Sequence, residues 1–269
     1  MTAHGPVDRT DIDAELVRVL GDADTRGVDV AREAVEEPAD RWYGQVVGAT
    51  YAALADSPAD DTVVAAAATV ELLRGYIRIR SQLLTQLSDE RPHSLTADPE
   101  IVLLAGDYLY TTAFSTLGSN PHPRCGENVA ALSSAFETIT DAFSRSTSDT
   151  APSDDQVLAF LDRTLGSLGA TATRLGASLA ADDSVPRADV ATLGRALGTA
   201  HGAQRLRTAD PGSAAVVSPA MDESALREYA ETQREKAMDA LDALPGSVGV
   251  ATLHPLVAED TARTDEDDR

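Results

Sequence analysis

Residues 103–114, LLAGDYLYTTAF, set Gly106 and Asp107 inside a stretch that is otherwise apolar and helical in character. On a helix Leu103, Asp107, Tyr110 and Phe114 share one stripe, so the carboxylate is expected half-buried among apolar neighbours, where it needs a partner. Gly106 has no Cβ and would let a neighbouring helix approach closely enough to supply one. His122-Pro-Arg-Cys125 has a spacing that metal sites use, but two ligands in a proline-rich loop without a second pair are not a metal site. Cys125 is the single cysteine, which excludes an intrachain disulfide. His201 stands alone one turn before Arg205 and is read as an ordinary core or surface histidine with no catalytic role.

Helices must position these groups. Ser57-Pro58 precedes a helix from about Asp60 to Leu87, in which Thr69, Leu72, Tyr76, Ile79 and Leu83 recur at spacings of three and four as one buried stripe. Asp98-Pro99 supplies a cap and a first-turn proline for a helix from about Glu100 to Leu117, ended by Gly118-Ser-Asn-Pro. After the break NPHPRCGEN a helix runs from near Glu127 to about Phe143. The loop SRSTSDTAPSDD ends in a capping box, Ser153 to Gln156, which opens the next helix. The break ADDSVPRAD separates that helix from one ending near Arg207, and a last amphipathic helix, Asp222 to Leu244, is stopped by Pro245-Gly246. Trp42 and Tyr43 open what reads as the first core helix, as packing residues.

The tally is seven or eight helices in a single bundle, an all-α fold, since aromatic content of 4% and few alternating β-branched runs argue against a sheet. Residues 1–10 and the acidic tail 259–269 offer nothing to bury and are expected to be disordered, leaving 11–258 as one helical domain.

Forty-four Asp plus Glu against 22 Lys plus Arg give a net charge of -22, and Lys236 is the one lysine. Such a surface repels nucleic acid and anionic lipid. Carboxylate excess with almost no lysine matches proteins of salt-loving organisms, where salt screens self-repulsion. The run TVVAAAATVELL is broken by Glu71 and followed by Arg74, too short for a membrane span, and the N-terminus carries no signal-peptide pattern. A cytoplasmic location is expected.

LLAGDYLYTTAF resembles the LAGDxLLxxAF segment of the trans-isoprenyl diphosphate synthases, the polyprenyl synthetase family. The order of other pieces agrees. Val70-Glu71-Leu72-Leu73 stands where that family has E-L-I-H, RLGASLA (174–180) and LGRALGTAHGAQ (193–204) are similar to its lGAxLA and LGxxLGxAFQ segments, and REYAETQREKAMDALDALPG (227–246) to its closing helix. The resemblance extends from about residue 30 to 260 and implies a bundle of the isoprenoid synthase type.

It also implies a magnesium-dependent reaction, in which two DDxxD motifs face each other across the bundle and hold the metal against an allylic diphosphate. Aligned on this chain, the first motif falls on Ser81, Gln82 and Thr85 and the second on Arg205, Leu206 and Ala209, with no carboxylate among them. The early GGKR-x-RP stretch has become EPADRWYGQ (37–45), and Arg163-Thr164 stands near the family's Lys-Thr pair. The acidic pairs Asp60-Asp61, Asp154-Asp155 and Asp182-Asp183 sit at helix starts or in loops. Glu137 and Ser133 fit the end of a terpene-cyclase ligand pattern, but Val129 takes its first position.

What occupies the implied site is basic: Arg74, Arg78 and Arg80 on one helix, Arg205 and Arg207 on another. Ion pairs with nearby carboxylates are the simpler expectation, and metal-free binding of an isoprenoid diphosphate the sharper one. On this reading the chain is a degenerate family member that needs no cofactor, with magnesium implied only if it were active. Its expected partners are a second copy or a catalytic prenyl diphosphate synthase. The alternatives are a prenyltransferase with atypical ligands and a metal-free prenyl-diphosphate binder.

Overall fold

Asp8 starts the first helix: its side chain accepts from the Asp11 N–H at 3.0 Å while the Asp11 carboxylate takes the Asp8 N–H, a reciprocal cap on α1 (Arg9–Leu20). The computed structural model describes residues 7–21, 25–37, 39–88, 98–146, 153–181, 185–208, 221–245 and 248–257. Residues 7–10, expected to be disordered, therefore belong to the fold. Ile12, Leu16 and Leu20 are buried at a period of four, and Val7 is buried against Gly48, where there is no side chain to exclude it. Asp8 lies in the segment expected to be disordered because its capping role depends on the helix it starts. Residues 1–6 and the tail 259–269 lie outside the described residues.

Ten α-helices and no strand occur among the described residues. After α1 come α2 (Arg26–Glu36), α3 (Trp42–Leu54), α4 (Asp61–Ser88), α5 (Pro99–Gly118), α6 (Cys125–Ser146), α7 (Asp154–Leu161), α8 (Ser167–Ala180), α9 (Arg187–Thr208) and α10 (Glu223–Asp242). The helix opened by Trp42 is thus the third, because two earlier helices form from a polar segment. A π-helical turn, Asp162–Gly166, joins α7 to α8 without interruption and adds to the number of segments. No helix among the described residues is long and apolar enough to cross a membrane.

Helix α4 is central, packed against α1, α2, α3, α5 and α8. Burial therefore runs around its circumference from Val63 to Ile79 and is not confined to the stripe of Thr69, Leu72, Tyr76 and Ile79. Glu71, Arg74 and Arg78 are enclosed with it, so their charges must be met inside the protein.

Helix α5 turns Val102, Ala105, Gly106, Leu109, Ala113 and Leu117 to the core, against α4 and α2. Asp107 is on the other side, with 63% of its side chain exposed, and Leu103 is exposed as well. The expected half-buried carboxylate is thus corrected: of the stripe through positions 103, 107, 110 and 114, the first two are exposed, while Tyr110 and Phe114 are half-buried against Phe136 of α6. A Cβ on Gly106 would meet Ile79 and Arg80 at 3.5 Å or more, ordinary contact, so Gly106 is not what lets the helices approach.

Close approach occurs elsewhere. A Cβ on Gly198 would lie 2.5 Å from the Leu165 carbonyl oxygen and 2.9 Å from the Gly169 Cα, and one on Gly169 would lie 2.1 Å from the Gly194 oxygen. Helices α8 and α9 cross at these glycines, backbone on backbone, and Gly176 gives α8 the same intimacy with Val47 on α3. The segments RLGASLA and LGRALGTAHGAQ owe their glycines to this packing.

Helix ends follow the sequence closely. The Ser153 box forms, with Gln156 Oε1 taking the Ser153 N–H at 2.8 Å, and Asp222 accepts from the Ser224 N–H. Pro99 sits in the first turn of α5, but the Asp98 side chain makes no capping bond.

Candidate functional site

The connection between α2 and α3 lies against the inner face of α4 and the last turns of α9, and there the sequence-predicted arginines divide into two groups. Arg74 Nη1 donates to Asp40 Oδ1 at 2.5 Å and approaches Glu71 Oε2 at 3.5 Å. Arg205 Nη1 stands 3.3 Å from Asp40 Oδ2, and His201 Nε2 stands 3.9 Å from the same oxygen. Arg78, 1% exposed at its side chain, pairs with Glu37 and lies within electrostatic range of Arg205. Arg74, Arg78 and Arg205 thus share one locality.

Arg80 and Arg207 do not. Arg80 turns toward α5, where it donates to the Tyr76 hydroxyl at 3.1 Å and reaches Asp107 at 3.5 Å. Arg207 donates to Gln204 Oε1 at 2.7 Å and pairs with Glu223 at the start of α10.

Aromatic rings wall the cluster. Trp42 stacks flat on His201 with centroids 4.0 Å apart, Tyr43 meets both edge-on, and the Arg74 guanidinium lies 5.3 Å from the Tyr43 ring centre. Trp42 and Tyr43 are buried packing residues, as expected, and Tyr43 also donates to the Gly198 carbonyl at 3.1 Å. His201, read as ordinary from the sequence, is a buried neighbour of Asp40.

Burial pushes the Asp40 carboxyl upward, but the charge and hydrogen bond of Arg74, the charge of His201 and the Trp42 N–H outweigh it and hold the group well below the usual carboxylate range. Glu71 goes the other way. Its complete burial raises it despite Arg74 and the Gly44 N–H, which donates to Glu71 Oε1 at 2.8 Å, and Asp40 adds to the rise. Burial works against the Arg74 cation, and Glu71 with Asp40 more than restores it. Burial lowers Arg78 to about 10, with Glu33 opposing and Arg205 adding, so it stays cationic at neutral pH.

The positions aligned with the two metal motifs fit no magnesium ion. Ser81 is buried, Gln82 half-buried, and Thr85 lies on α4 with its side chain outside the described residues. Arg205 and Leu206 are half-buried on α9, and Ala209 is outside the described residues. A magnesium ion held against a diphosphate needs carboxylate oxygens, and these side chains bring none: a guanidinium, a hydroxyl, an alkyl group and a single neutral amide oxygen do not make its ligand set. Among the described residues no group of three or more His, Cys, Asp or Glu could hold a metal.

The remaining candidates have local duties. Asp60 accepts from the Thr62 and Val63 N–H groups at the start of α4, and Asp154 and Asp155 lie in the first turn of α7, where carboxylates complement the helix dipole. Asp182 and Asp183 lie outside the described residues, and Glu137 is exposed. His122 Nδ1 accepts the Arg124 N–H and Cys125 Sγ donates to the Leu117 carbonyl, both in the turn that opens α6. Arg163 pairs with Asp141 at 2.6 Å, and Thr164 of the π turn donates back to the Phe160 carbonyl in α7. A cleft of about 620 Å³ lined by Leu16, Val17, Leu20, Arg32, Val35 and Arg41 lies between α1 and α2, outside the arginine cluster.

By sequence, no family model matches the chain, and no curated protein does. By structure the likeness is extensive. A geranylgeranyl pyrophosphate synthetase from Geoglobus acetivorans superposes with a TM-score of 0.72 at 14% identity, covering 94% of this chain and 97% of that one. The geranyl diphosphate synthase small subunit from Antirrhinum majus gives 0.71 at 16%, covering 92% and 94%, and a deletion mutant of mint heterotetrameric geranyl pyrophosphate synthase gives 0.70 at 17%, covering 93% and 96%. The fold is that of the isoprenoid synthases. At these identities the likeness speaks to architecture and leaves the chemistry to the residues.

Proposed function

We propose that this chain is a catalytically degenerate isoprenoid-synthase-fold subunit that works in the cytoplasm as partner or regulator of an active prenyl diphosphate synthase. One observation carries the reading: Arg74 and Arg205 are turned onto the chain's own Asp40, and the aligned motif positions Ser81, Gln82, Arg205 and Leu206 bring no carboxylate to hold a metal. The architecture is kept while the means of ionising a diphosphate are missing. Structural similarity to a protein described as a small subunit, and to another described as heterotetrameric, supports a role in a mixed assembly.

The test is affinity capture of the tagged protein from its native host at the host's salt. An active prenyl diphosphate synthase should be recovered in stoichiometric amount, and the purified chain alone should release no diphosphate from allylic substrates with magnesium. Recovery of the protein by itself, or turnover by it alone, would overturn the proposal.

A second reading, a metal-free binder of prenyl diphosphates, draws on the convergence of Arg74, Arg78 and Arg205. Arg78→Ala and Arg205→Ala should each weaken diphosphate binding, and unchanged affinity in both excludes it.

A further inference from the structure

Asp40 is contacted as a bound anion would be. Its Oδ1 takes Arg74 Nη1 at 2.5 Å and the Trp42 N–H at 3.2 Å, while its Oδ2 faces Arg74 Nη2 at 3.4 Å, Arg205 Nη1 at 3.3 Å and His201 Nε2 at 3.9 Å. The donors come from α4, α9 and the first residue of α3. The carboxylate comes from none of these helices. Both oxygens are engaged, one guanidinium spans the pair, and a flat imidazole held by Trp42 closes the side.

The chain is bent to bring this carboxylate in. Arg41, the next residue, is left-handed at φ 50°, a conformation that a side-chain-bearing residue rarely adopts. It is held there by Asp13 at 2.5 Å and by the Val35 carbonyl. Gln45 Nε2 donates to the Asp40 carbonyl at 2.8 Å, fixing the backbone on the other side. From the same connection Glu37 lies on Arg78, so two carboxylates from one short segment cover two buried arginines of α4.

We propose that Asp40 fills, as a tethered carboxylate, an anion site built by Arg74, Arg205 and His201, and that the ligand it keeps out is a phosphate or diphosphate. Guanidinium forks suit such oxygens, and a larger, more highly charged anion would use the same donors more fully than a carboxylate does. The site has an open side, since the Arg205 side chain is 36% exposed. Glu71, on the buried side of Arg74, leaves the cradle's open face to Asp40. A tethered group competes at an effective concentration in the millimolar range or above, so a soluble anion binds weakly until Asp40 is removed.

The inference does not require a partner chain and takes from the proposed function only the choice of probe. The experiment is calorimetric titration of inorganic pyrophosphate, with chelator present to exclude metal bridging, into the full chain, Asp40→Asn and the double variant Asp40→Asn/Arg205→Ala. Asp40→Asn should bind at least about tenfold more tightly than the parent, and the gain should vanish in the double variant. A folded Asp40→Asn with no gain overturns the proposal, as does a gain that survives loss of Arg205. Should Asp40→Asn not fold unaided, pyrophosphate should restore its cooperative thermal transition where sodium chloride of equal ionic strength does not. Equal recovery with either salt, or none, would overturn it as well.

Discussion

Tyr43 donates its hydroxyl hydrogen to the carbonyl oxygen of Gly198 at 3.1 Å, joining positions 155 residues apart. The bond is made where α9 has no side chain on the contact face, so the phenol reaches the helix backbone directly. One end of it stands beside Arg74 and His201, the other on the α8–α9 crossing. The arginine cluster and the glycine crossing are therefore mechanically one unit.

Gly198→Ala should lower stability by about 3 kcal/mol or more, beyond the ordinary cost of overpacking, because the new methyl meets backbone of Leu165 and Gly169 that cannot rotate away. Gly126→Ala on α6, where nothing lies within 4 Å, is the control and should change stability by less than about 1 kcal/mol. Denaturant unfolding of the two variants decides it; similar losses in both would refute the account of the crossing.

Tyr43→Phe keeps the ring against Trp42 and removes only the hydrogen bond. The expected loss is about 1 kcal/mol, measured by the same unfolding curves, since the Gly198 oxygen retains its place in the helix. A loss above about 3 kcal/mol would mean that the hydroxyl does more than this bond.

Arg74→Met strips Asp40 and Glu71 of their main countercharge and should cost about 3–5 kcal/mol at neutral pH. The Glu71→Gln/Arg74→Met double variant should recover part of that, because a buried carboxylate is no longer left facing an alkyl chain. Additive losses in the pair would show that the two residues do not interact.

The pH profile separates the two acids. Asp40 is held low in the fold, so its contribution is fully present above its unfolded value of about 3.9 and is lost as the pH falls below that toward the depressed folded value. Glu71 is raised, so its contribution is present below its unfolded value of about 4.3 and is lost as the pH rises through the folded one. Stability measured from acid to neutral pH should lose its acid-side fall in Asp40→Asn and its rising-pH loss in Glu71→Gln. Profiles that superimpose on the parent would contradict the assignment.

With a net charge of -22, the thermal midpoint should climb as sodium chloride is raised from tens of millimolar to molar concentration, because screening relieves self-repulsion. Magnesium at matched ionic strength should add nothing further, given side chains at the aligned motif positions that suit no hard cation. A rise specific to magnesium would reveal a metal site the described residues do not contain.

Much of the scaffold was legible because helix boundaries are written locally. Pro99, the Ser153 box and Asp222 each act on backbone groups within a few residues, so their meaning survives without knowledge of the fold. Asp107 was misjudged for the complementary reason. A helical stripe says which residues share a face and not which face turns inward, and on α5 the small residues Ala105, Gly106 and Ala113 mark the inner one. The arginines of α4 and α9 were visible as a basic set, but their carboxylate was not: Asp40 lies 34 residues from Arg74, in a connection with no periodicity to read. Nor does any sequence rule report that Arg80 and Arg207 turn away.

The π turn at Asp162–Gly166 has a consequence for the whole second half of the chain. One surplus residue in a helix rotates everything after it by about 100° relative to what precedes it. Helix α8 after the turn is buried at nearly every position, so the extra residue decides which of its faces meets α9, and it is the one that sets Gly169 against Gly194. Deleting a single residue there would leave every side chain chemically unchanged and swing Gly169 away from Gly194, turning a point deletion into a rearrangement of half the bundle.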